Sequence, residues 1–234
     1  RLGAPELRKM GTKRVRDRLE NKNAPYKWTP LNDISREFLH AVVLSEDSTF
    51  FEHSGVNMDA LMDALAENLR RRKYAIGAST ISQQVVKNVF LSQEKTIVRK
   101  AREMVLTDRL EERFTKNQIL EVYLNIAEFG PDVYGAHAAA AHYFEKAPSN
   151  INAAEGAFLA LMLPSPRKYH FTVFENKNLS PRKRKKIRRV LREMVLQELI
   201  TPAQHAKYAS YDYFAGKGKE TPDHEADEDT RDGD

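Results

Sequence analysis

Three Thr-x-x-Gln patterns, at Thr80, Thr115 and Thr201, mark the starts of helices in this chain. In such a capping box, the two side chains satisfy backbone N–H groups that the first turn of a helix leaves unpaired. Apolar residues follow at spacings of three and four, the period of an amphipathic helix, and no run alternates as a strand would. The sequence therefore predicts a mainly α fold.

The same periodicity predicts further helices at residues 35–45, 58–72, 96–113, 136–144, 153–163 and 182–199. In the helix at 96–113, the predicted apolar face consists of Ile97, Ala101, Val105 and Leu110. Residues 1–29 are expected to form an irregular basic lead-in, and residues 216–234 a disordered acidic tail. One domain is predicted between them, over residues 30–215.

Charge is distributed unevenly along the chain. The net charge is +5, but residues 217–234 hold eight acids and three bases, which leaves +10 on the rest. A basic body indicates an anionic partner, and charge alone leaves nucleic acid, a membrane surface and a phosphorylated substrate open. The absence of cysteine excludes disulfides and thiolate metal sites. Since no apolar stretch is long enough to span a bilayer, we expect a soluble or peripheral chain.

The stretch from Leu44 to Gly55 places two adjacent carboxylates, Glu46 and Asp47, at the end of an apolar run. An apolar environment raises the pKa of a carboxyl group, and a second ionisable group nearby separates the roles of the two. The stretch therefore favours proton chemistry. The alternative is an ordinary polar end of a helix, and this stretch alone does not decide between them.

A second stretch runs from Gly77 to Leu91 and includes the helix start at Thr80. Free backbone N–H groups at a helix start favour phosphate, and Gln84 and Lys87 share the helix face of Thr80. The pattern is typical of a cradle for a phosphate or a polar sugar. The alternative is a capped helix with an exposed lysine.

A third stretch holds Glu103 one helical turn beyond Arg99 and Lys100. Two cations beside one carboxylate would fix its negative charge. The alternative is a surface ion pair, which contributes little to stability.

Together with two later stretches, these resemble the five ordered motifs of the peptidoglycan glycosyltransferases, glycosyltransferase family 51. The first three motifs are matched by Glu46, Asp47, Phe50, His53 and Gly55, by Gly77, Ser79, Thr80, Gln83, Gln84, Lys87 and Asn88, and by Arg99, Lys100 and Glu103. The last two are matched by Lys116, Ile119, Leu120, Tyr123, Leu124, Asn125 and Gly130, and by Glu155, Ala157, Leu159, Ala160, Leu163 and Pro164. Gly156 stands where Ala or Ser is usual. The resemblance covers roughly residues 30–170.

The resemblance implies a lysozyme-like helical glycosyltransferase domain with a smaller lobe that faces the membrane. Such enzymes polymerise lipid II, a lipid-linked disaccharide-pentapeptide. By the resemblance, Glu46 is the general base that takes the proton from the 4-hydroxyl of the acceptor sugar. That hydroxyl attacks the anomeric carbon of the growing chain with inversion, and undecaprenyl pyrophosphate leaves. Glu103 is the second catalytic residue, which orients the cations around it.

The resemblance also implies the residues that bind the substrate. By the resemblance, the acceptor side is shaped by Asp47 and His53, and the pyrophosphate is bound by Lys87, Arg99 and Lys100. The remaining positions carried over as substrate-binding are Phe50, Gly77, Ser79, Thr80, Gln84, Asn88 and Lys95. No cofactor is obligatory, although some relatives suggest a divalent cation, Mg²⁺ or Mn²⁺, held by Glu103 at the pyrophosphate.

The resemblance further implies a location at the outer, periplasmic face of the bacterial inner membrane. The usual N-terminal membrane helix is missing from this sequence, and the absence of a Lys-Thr-Gly triplet favours the monofunctional type. Eight bases and no acid between Arg182 and Arg192 are expected to face anionic lipid headgroups. The expected partners are lipid II, the growing lipid-linked glycan, an anionic membrane surface and other cell-wall synthesis proteins, but no nucleic acid.

Two alternatives remain at this point. A lysozyme-like enzyme that cleaves glycan would need an acid at the scissile oxygen, but not the cations Lys87, Arg99 and Lys100. A module that binds an anionic surface or nucleic acid through residues 182–192 would explain the charge, but not the five motifs.

Overall fold

The computed structural model describes residues 2–55, 79–91 and 96–214. The helices in these ranges are α1 (Ala4–Arg18), α2 (Arg36–Glu46), α3 (Ile81–Val89), α4 (Ile97–Glu111), α5 (Lys116–Ile126), α6 (Gly135–Phe144), α7 (Ala153–Met162), α8 (Pro181–Leu196) and α9 (Pro202–Ala209). Short 3₁₀ turns lie at Leu31–Asp33 and Pro148–Asn150, one helical turn at Pro166–Tyr169, and a π-helical segment at His170–Glu175. Two short strands, β1 (Glu128–Gly130) and β2 (Val133–Tyr134), pair antiparallel.

The mainly α fold predicted from the sequence is confirmed, and it is consistent with the lysozyme-like domain that the resemblance implied. Each predicted capping box is present: the hydroxyls of Thr80, Thr115 and Thr201 accept the N–H group three residues on, and the glutamine side chain returns the bond. A further box at Asn152 opens α7. Helix starts could be predicted because capping is a local interaction.

Helix α7 forms the centre of the core and sets the position of α2. Every residue from Ala153 to Met162 is buried, as expected for a helix that is apolar on all sides. A Cβ atom at Gly156 would lie 3.0 Å from the Cα of Phe38 and 3.2 Å from the carbonyl oxygen of Glu37. The two backbones therefore approach very closely, and this contact orients α2, whose last residue is Glu46.

The prediction of an irregular lead-in over residues 1–29 is wrong, because α1 is a regular helix that packs on α5. Its buried stripe consists of Leu7, Gly11 and Val15, spaced by four. A Cβ at Gly11 would lie 3.0 Å from Cγ2 of Ile126, so the glycine permits close contact between the helices. With a glycine at its centre, the stripe shows only two aliphatic residues and gives a weak apolar signal in the sequence.

The predicted apolar face of α4 is confirmed at Leu110 but is wrong at Ala101 and Val105. Val105 is 53% exposed and Ala101 is exposed, whereas Glu103, Thr107 and Leu110 are buried. The polar pair can be buried because Lys100 pairs with the Glu103 carboxylate and the Thr107 hydroxyl donates to the Glu103 carbonyl oxygen at 2.7 Å. Hydrophobic periodicity cannot find a buried face that is built from polar residues.

Some sequence predictions lie outside the described residues: the helix at 58–72, the positions Gly77 and Lys95, and the acidic tail. Over the described ranges, no helix combines the length and the apolar character needed to cross a membrane.

Candidate active site

Glu46 is the last residue of α2, at the point where that helix leaves the core. Burial raises the pKa of its carboxyl group above the ordinary value, and the nearby charge of Asp47 adds to this effect. The hydrogen bond from Gln84 and the charges of Lys186 and Lys87 act in the opposite direction. Glu46 is therefore a carboxyl group whose proton affinity is increased but whose ionised form is still supported.

Gln84 connects α3 to Glu46. Its Nε2 donates to Oε2 of Glu46 at 3.1 Å, and its Oε1 accepts from the hydroxyl of Tyr123 at 3.5 Å. Burial raises the pKa of Tyr123 well above its ordinary value, so the phenol keeps its proton and acts as a donor. Because Tyr123 donates to the amide oxygen, the amide N–H₂ group of Gln84 faces Glu46.

Asp47 braces the site from within. Its Oδ2 accepts from the backbone N–H of Ile81 at 3.0 Å, at the start of α3, and its Oδ1 lies 2.9 Å from Nε2 of His53. The residue is only 7% exposed. Asp47 therefore ties the end of α2 to the start of α3, and its role on the acceptor side stays a prediction.

Phe50 does not have the predicted substrate-binding role. Its side chain is completely buried, with Nζ of Lys116 4.4 Å from the ring centre. His53 packs edge-on against the Phe50 ring. A side chain without exposed surface cannot contact a substrate, so Phe50 belongs to the core beneath the site.

A group of cations lies near Lys87 and Glu103 at the other end of α3. Lys100 pairs directly with the buried Glu103 carboxylate. Partial desolvation lowers the pKa of Lys87, and the charges of Arg99, Lys100 and Arg18 lower it further, whereas Glu103 opposes this effect. These groups are therefore close enough to interact, and the pair of Lys100 and Glu103 is one that the third stretch predicted.

Arg99 adds an unsatisfied donor to this group. Its Nε is buried and has no hydrogen-bond partner among the described residues. Its backbone N–H caps α4 by donating to the Thr96 hydroxyl at 3.1 Å. A buried guanidinium N–H without a partner is costly, and an anionic ligand would satisfy it.

Helix α3 carries both halves of the candidate site, because Gln84 reaches Glu46 and Lys87 lies one turn further along. The charge of Lys87 also lowers the pKa of Glu46. One helix therefore contacts the carboxyl group of raised pKa through Gln84 and contributes Lys87 to the cation cluster. Of the other predicted positions on this stretch, Thr80 caps the helix and donates to the carbonyl oxygen of Gly55, and Ser79 is exposed.

Lys186 is a residue of this site that sequence reasoning missed. It lies on α8, which packs on α2, and its charge lowers the pKa of Glu46. Burial lowers the pKa of Lys186 itself, and Glu46 opposes that shift. Residues 182–192 were predicted to face lipid headgroups, and nothing in the sequence separates Lys186 from its seven basic neighbours.

Polar residues of the fourth and fifth motifs hold the scaffold. The amide of Asn125, which is completely buried, exchanges hydrogen bonds with the backbone of Thr29 at 2.7 and 2.8 Å. Glu155, also buried, accepts from Lys146 at 2.7 Å and from the hydroxyl of Tyr211. These motif residues fix the core and the C-terminal segment, and they do not contact Glu46.

Within the described ranges, the acidic and histidine side chains do not by themselves form a metal site. Within residues 2–55, 79–91 and 96–214, no three His, Asp or Glu side chains gather around one point. Glu103 is paired with Lys100 and lies near the charge of Lys87. A divalent ion prefers several oxygen ligands, and here the protein offers one carboxylate that is already neutralised.

Comparison with known proteins gives a consistent result. A family model described as Transglycosylase matches residues 12–195. The chain is similar to a biosynthetic peptidoglycan transglycosylase of Janthinobacterium sp. (strain Marseille), with 44% identity over 62% of each chain. It is also similar to proteins of the same name from Herminiimonas arsenicoxydans (42% identity; 66% of this chain and 67% of the relative) and Aromatoleum aromaticum (42%; 73% and 71%). The chain spans about 62% of the length of the first of these relatives.

Proposed function

This chain belongs to the transglycosylase family, as the resemblance of its motifs predicted, and we propose that it is a peptidoglycan glycosyltransferase that polymerises lipid II. The observation that carries this proposal is the arrangement along α3. One helix holds a carboxyl group of raised pKa through Gln84 and a cluster of cations through Lys87. A glycosyl transfer with a pyrophosphate leaving group needs these two elements.

In the proposed reaction, Glu46 takes the proton from the 4-hydroxyl of the acceptor sugar. The oxygen forms a bond to the anomeric carbon of the growing chain from the face opposite the leaving group. The bond from that carbon to the phosphate oxygen breaks, and its electron pair leaves with undecaprenyl pyrophosphate. The configuration at the anomeric carbon is therefore inverted.

The environment of Glu46 suits a general base. A base works best when its pKa is close to the working pH, and burial moves the pKa of Glu46 in that direction. Gln84, Lys186 and Lys87 still favour the carboxylate, so the group can be ionised before the reaction starts. The residues that support the ionised form come from two helices, α3 and α8.

The cation cluster suits the departing pyrophosphate. Negative charge develops on the leaving oxygen, and preorganised cations in a partly desolvated site stabilise such charge more than water does. Lys87, Arg99 and Lys100 would bind the phosphate oxygens, including through Nε of Arg99, which has no hydrogen-bond partner within the described part of the chain. Glu103 would keep the cations in place through its ion pair with Lys100.

The proposal extends to the surroundings of the enzyme. We place it at the cell envelope, on the outer face of the inner membrane, where lipid II would be presented.

A divalent ion, if one takes part, would be held mainly by pyrophosphate oxygens with Glu103 beside them, and polymerisation in the presence of EDTA tests this requirement.

An enzyme that cleaves glycan is the second candidate, because a carboxyl group of raised pKa also serves as a general acid. Such an enzyme has no use for the cations around Glu103. Incubation with labelled lipid II and, separately, with finished glycan distinguishes the two. Polymer formed from lipid II supports synthesis, whereas fragments released from finished glycan without any polymer would overturn it.

The role of Glu46 is tested by Glu46→Gln. We expect the turnover of lipid II to fall by about 10² to 10⁴, the usual contribution of a general base. Glu52→Gln, at an exposed position six residues on, is the matched control and should polymerise normally. Wild-type polymerisation by Glu46→Gln would remove the assigned role.

A further inference from the structure

Two arginines of α1 hold the carboxyl end of α3. Arg14 donates from Nε to the carbonyl oxygen of Val89 at 2.8 Å. Arg18 donates from Nη2 to the carbonyl oxygen of Asn88 at 3.0 Å and from Nη1 to Oδ1 of the same residue at 3.2 Å. The last carbonyl groups of a helix lack partners within it and carry a partial negative charge. The two guanidinium groups donate hydrogen bonds to these carbonyl groups and offset their partial negative charge.

This end of α3 also carries the candidate site for the leaving group. Lys87 lies in the last turn of the helix, immediately before Asn88. A pyrophosphate bound at Lys87 would meet the negative end of the helix dipole, which opposes the binding of an anion. Arg14 and Arg18 remove that obstacle, because they place two positive charges where the helix end is negative.

We propose, on the basis of the function proposed above, that Arg18 is a positioning residue for the pyrophosphate. It holds Asn88 by both its backbone and its side chain, and thereby fixes the last turn of α3 that presents Lys87. Because Arg18 donates to Oδ1 of Asn88, the Nδ2 donors of that amide face away from the guanidinium group. They are then available to a phosphate oxygen.

The helix that carries Arg18 is anchored firmly enough for this role. Leu7 is completely buried and Val15 is 1% exposed, and Gly11 packs against Ile126 of α5. Arg18 is therefore placed by the core and does not move with a loose terminal segment. The two terminal nitrogens of its planar guanidinium group each donate a hydrogen bond to Asn88, and a lysine ammonium cannot reproduce both bonds with the same geometry.

Calorimetric titration of the full chain with inorganic pyrophosphate tests the proposal without relying on turnover. We expect Arg18→Ala to weaken binding about tenfold, the equivalent of one charge-assisted hydrogen bond. Arg18→Lys keeps the charge and the packing of the stem but loses the fork, and should weaken binding about threefold. Lys13→Ala removes the same charge from an exposed position on α1 and should bind as the wild type does.

Lipid II kinetics provide the second readout. A positioning role predicts a higher KM in both Arg18 variants, whereas a purely structural role would lower kcat through loss of folded enzyme and leave KM and pyrophosphate affinity unchanged. That second outcome would overturn the proposal. It would also be overturned if Arg18→Ala does not fold and Arg18→Lys binds pyrophosphate with wild-type affinity. If the wild type binds pyrophosphate but makes no polymer, the proposed function fails instead. If the wild type does not bind pyrophosphate, the inference fails.

Discussion

At the scale of single residues, the chemistry of the site depends on the groups that surround Glu46. Burial raises the pKa of Glu46, and the charge of its sequence neighbour Asp47 adds to this effect. The groups that lower this pKa come from distant positions: Gln84, Lys186 and Lys87. Carboxyl groups respond to burial and to charges within a few ångströms, whatever their separation along the chain. The motif predicted Glu46 as the candidate base, but the sequence did not predict that Gln84 and Lys186 lie beside it.

The pH dependence of activity should report the hydrogen bond from Gln84. A donor to the carboxylate favours the charged form and lowers the pKa of Glu46, so Gln84→Met should raise that pKa. Fewer molecules would then have Glu46 ionised at a given acidic pH. We expect the acidic limb of kcat/KM for lipid II to move upward by about one pH unit.

Two variants accompany this measurement. Tyr123→Phe removes the donor that orients the Gln84 amide, and should move the acidic limb in the same direction by a smaller amount. Gln197→Met, at an exposed position on another part of the molecule, should leave the profile unchanged. An acidic limb in Gln84→Met that stays in place or moves downward would contradict the role of the amide.

At the scale of secondary-structure elements, the structure shows which helices belong to the domain. Helix α1 lies in a segment predicted to be irregular, yet it packs on α5 and supplies Arg14 and Arg18 to the end of α3. Helix α4 turns its polar residues Glu103 and Thr107 inward. In both cases, glycine or internally bonded polar groups replace the aliphatic residues that periodicity relies on.

The membership of α1 in the domain predicts a stability effect. Leu7 is completely buried, so Leu7→Ala should lower the free energy of unfolding by about 3 kcal/mol, through lost contacts and the cavity left behind. Lys9→Ala, exposed on the same helix, should change it by less than about 0.5 kcal/mol. Denaturant titration of both variants measures the difference. Equal free energies of unfolding for the two variants would show that α1 does not contribute to the stability of the domain.

At the scale of the whole molecule, α8 joins the site to an outer surface. Its buried face packs on the core, and Lys186 lies on the flank that reaches Glu46. Opposite the buried face runs an exposed basic stripe: Arg182, Lys185, Arg189 and Arg192. One helix thus provides a cation for the site and a candidate surface for anionic lipids.

The basic stripe should control binding to anionic membranes. Each Lys or Arg near an anionic surface contributes about 1 kcal/mol, so replacing all four by Gln should weaken binding to phosphatidylglycerol vesicles by roughly two to three orders of magnitude. Sedimentation with vesicles measures this. Neutral phosphatidylcholine vesicles and a high-salt buffer are the controls, because both remove the electrostatic attraction. Unchanged binding to anionic vesicles would place the lipid contact elsewhere.

The sequence by itself determined the helical class, the capped helix starts and the family, because caps, periodicity and ordered motifs are written in local residues. Only the tertiary structure decided that Gln84 and Lys186 surround Glu46, that Phe50 is core, and that Arg18 reaches α3. Burial, charge proximity and hydrogen bonding arise between segments that are distant along the chain. The proton affinity of Glu46 and the strength of the cation cluster are therefore properties of the fold.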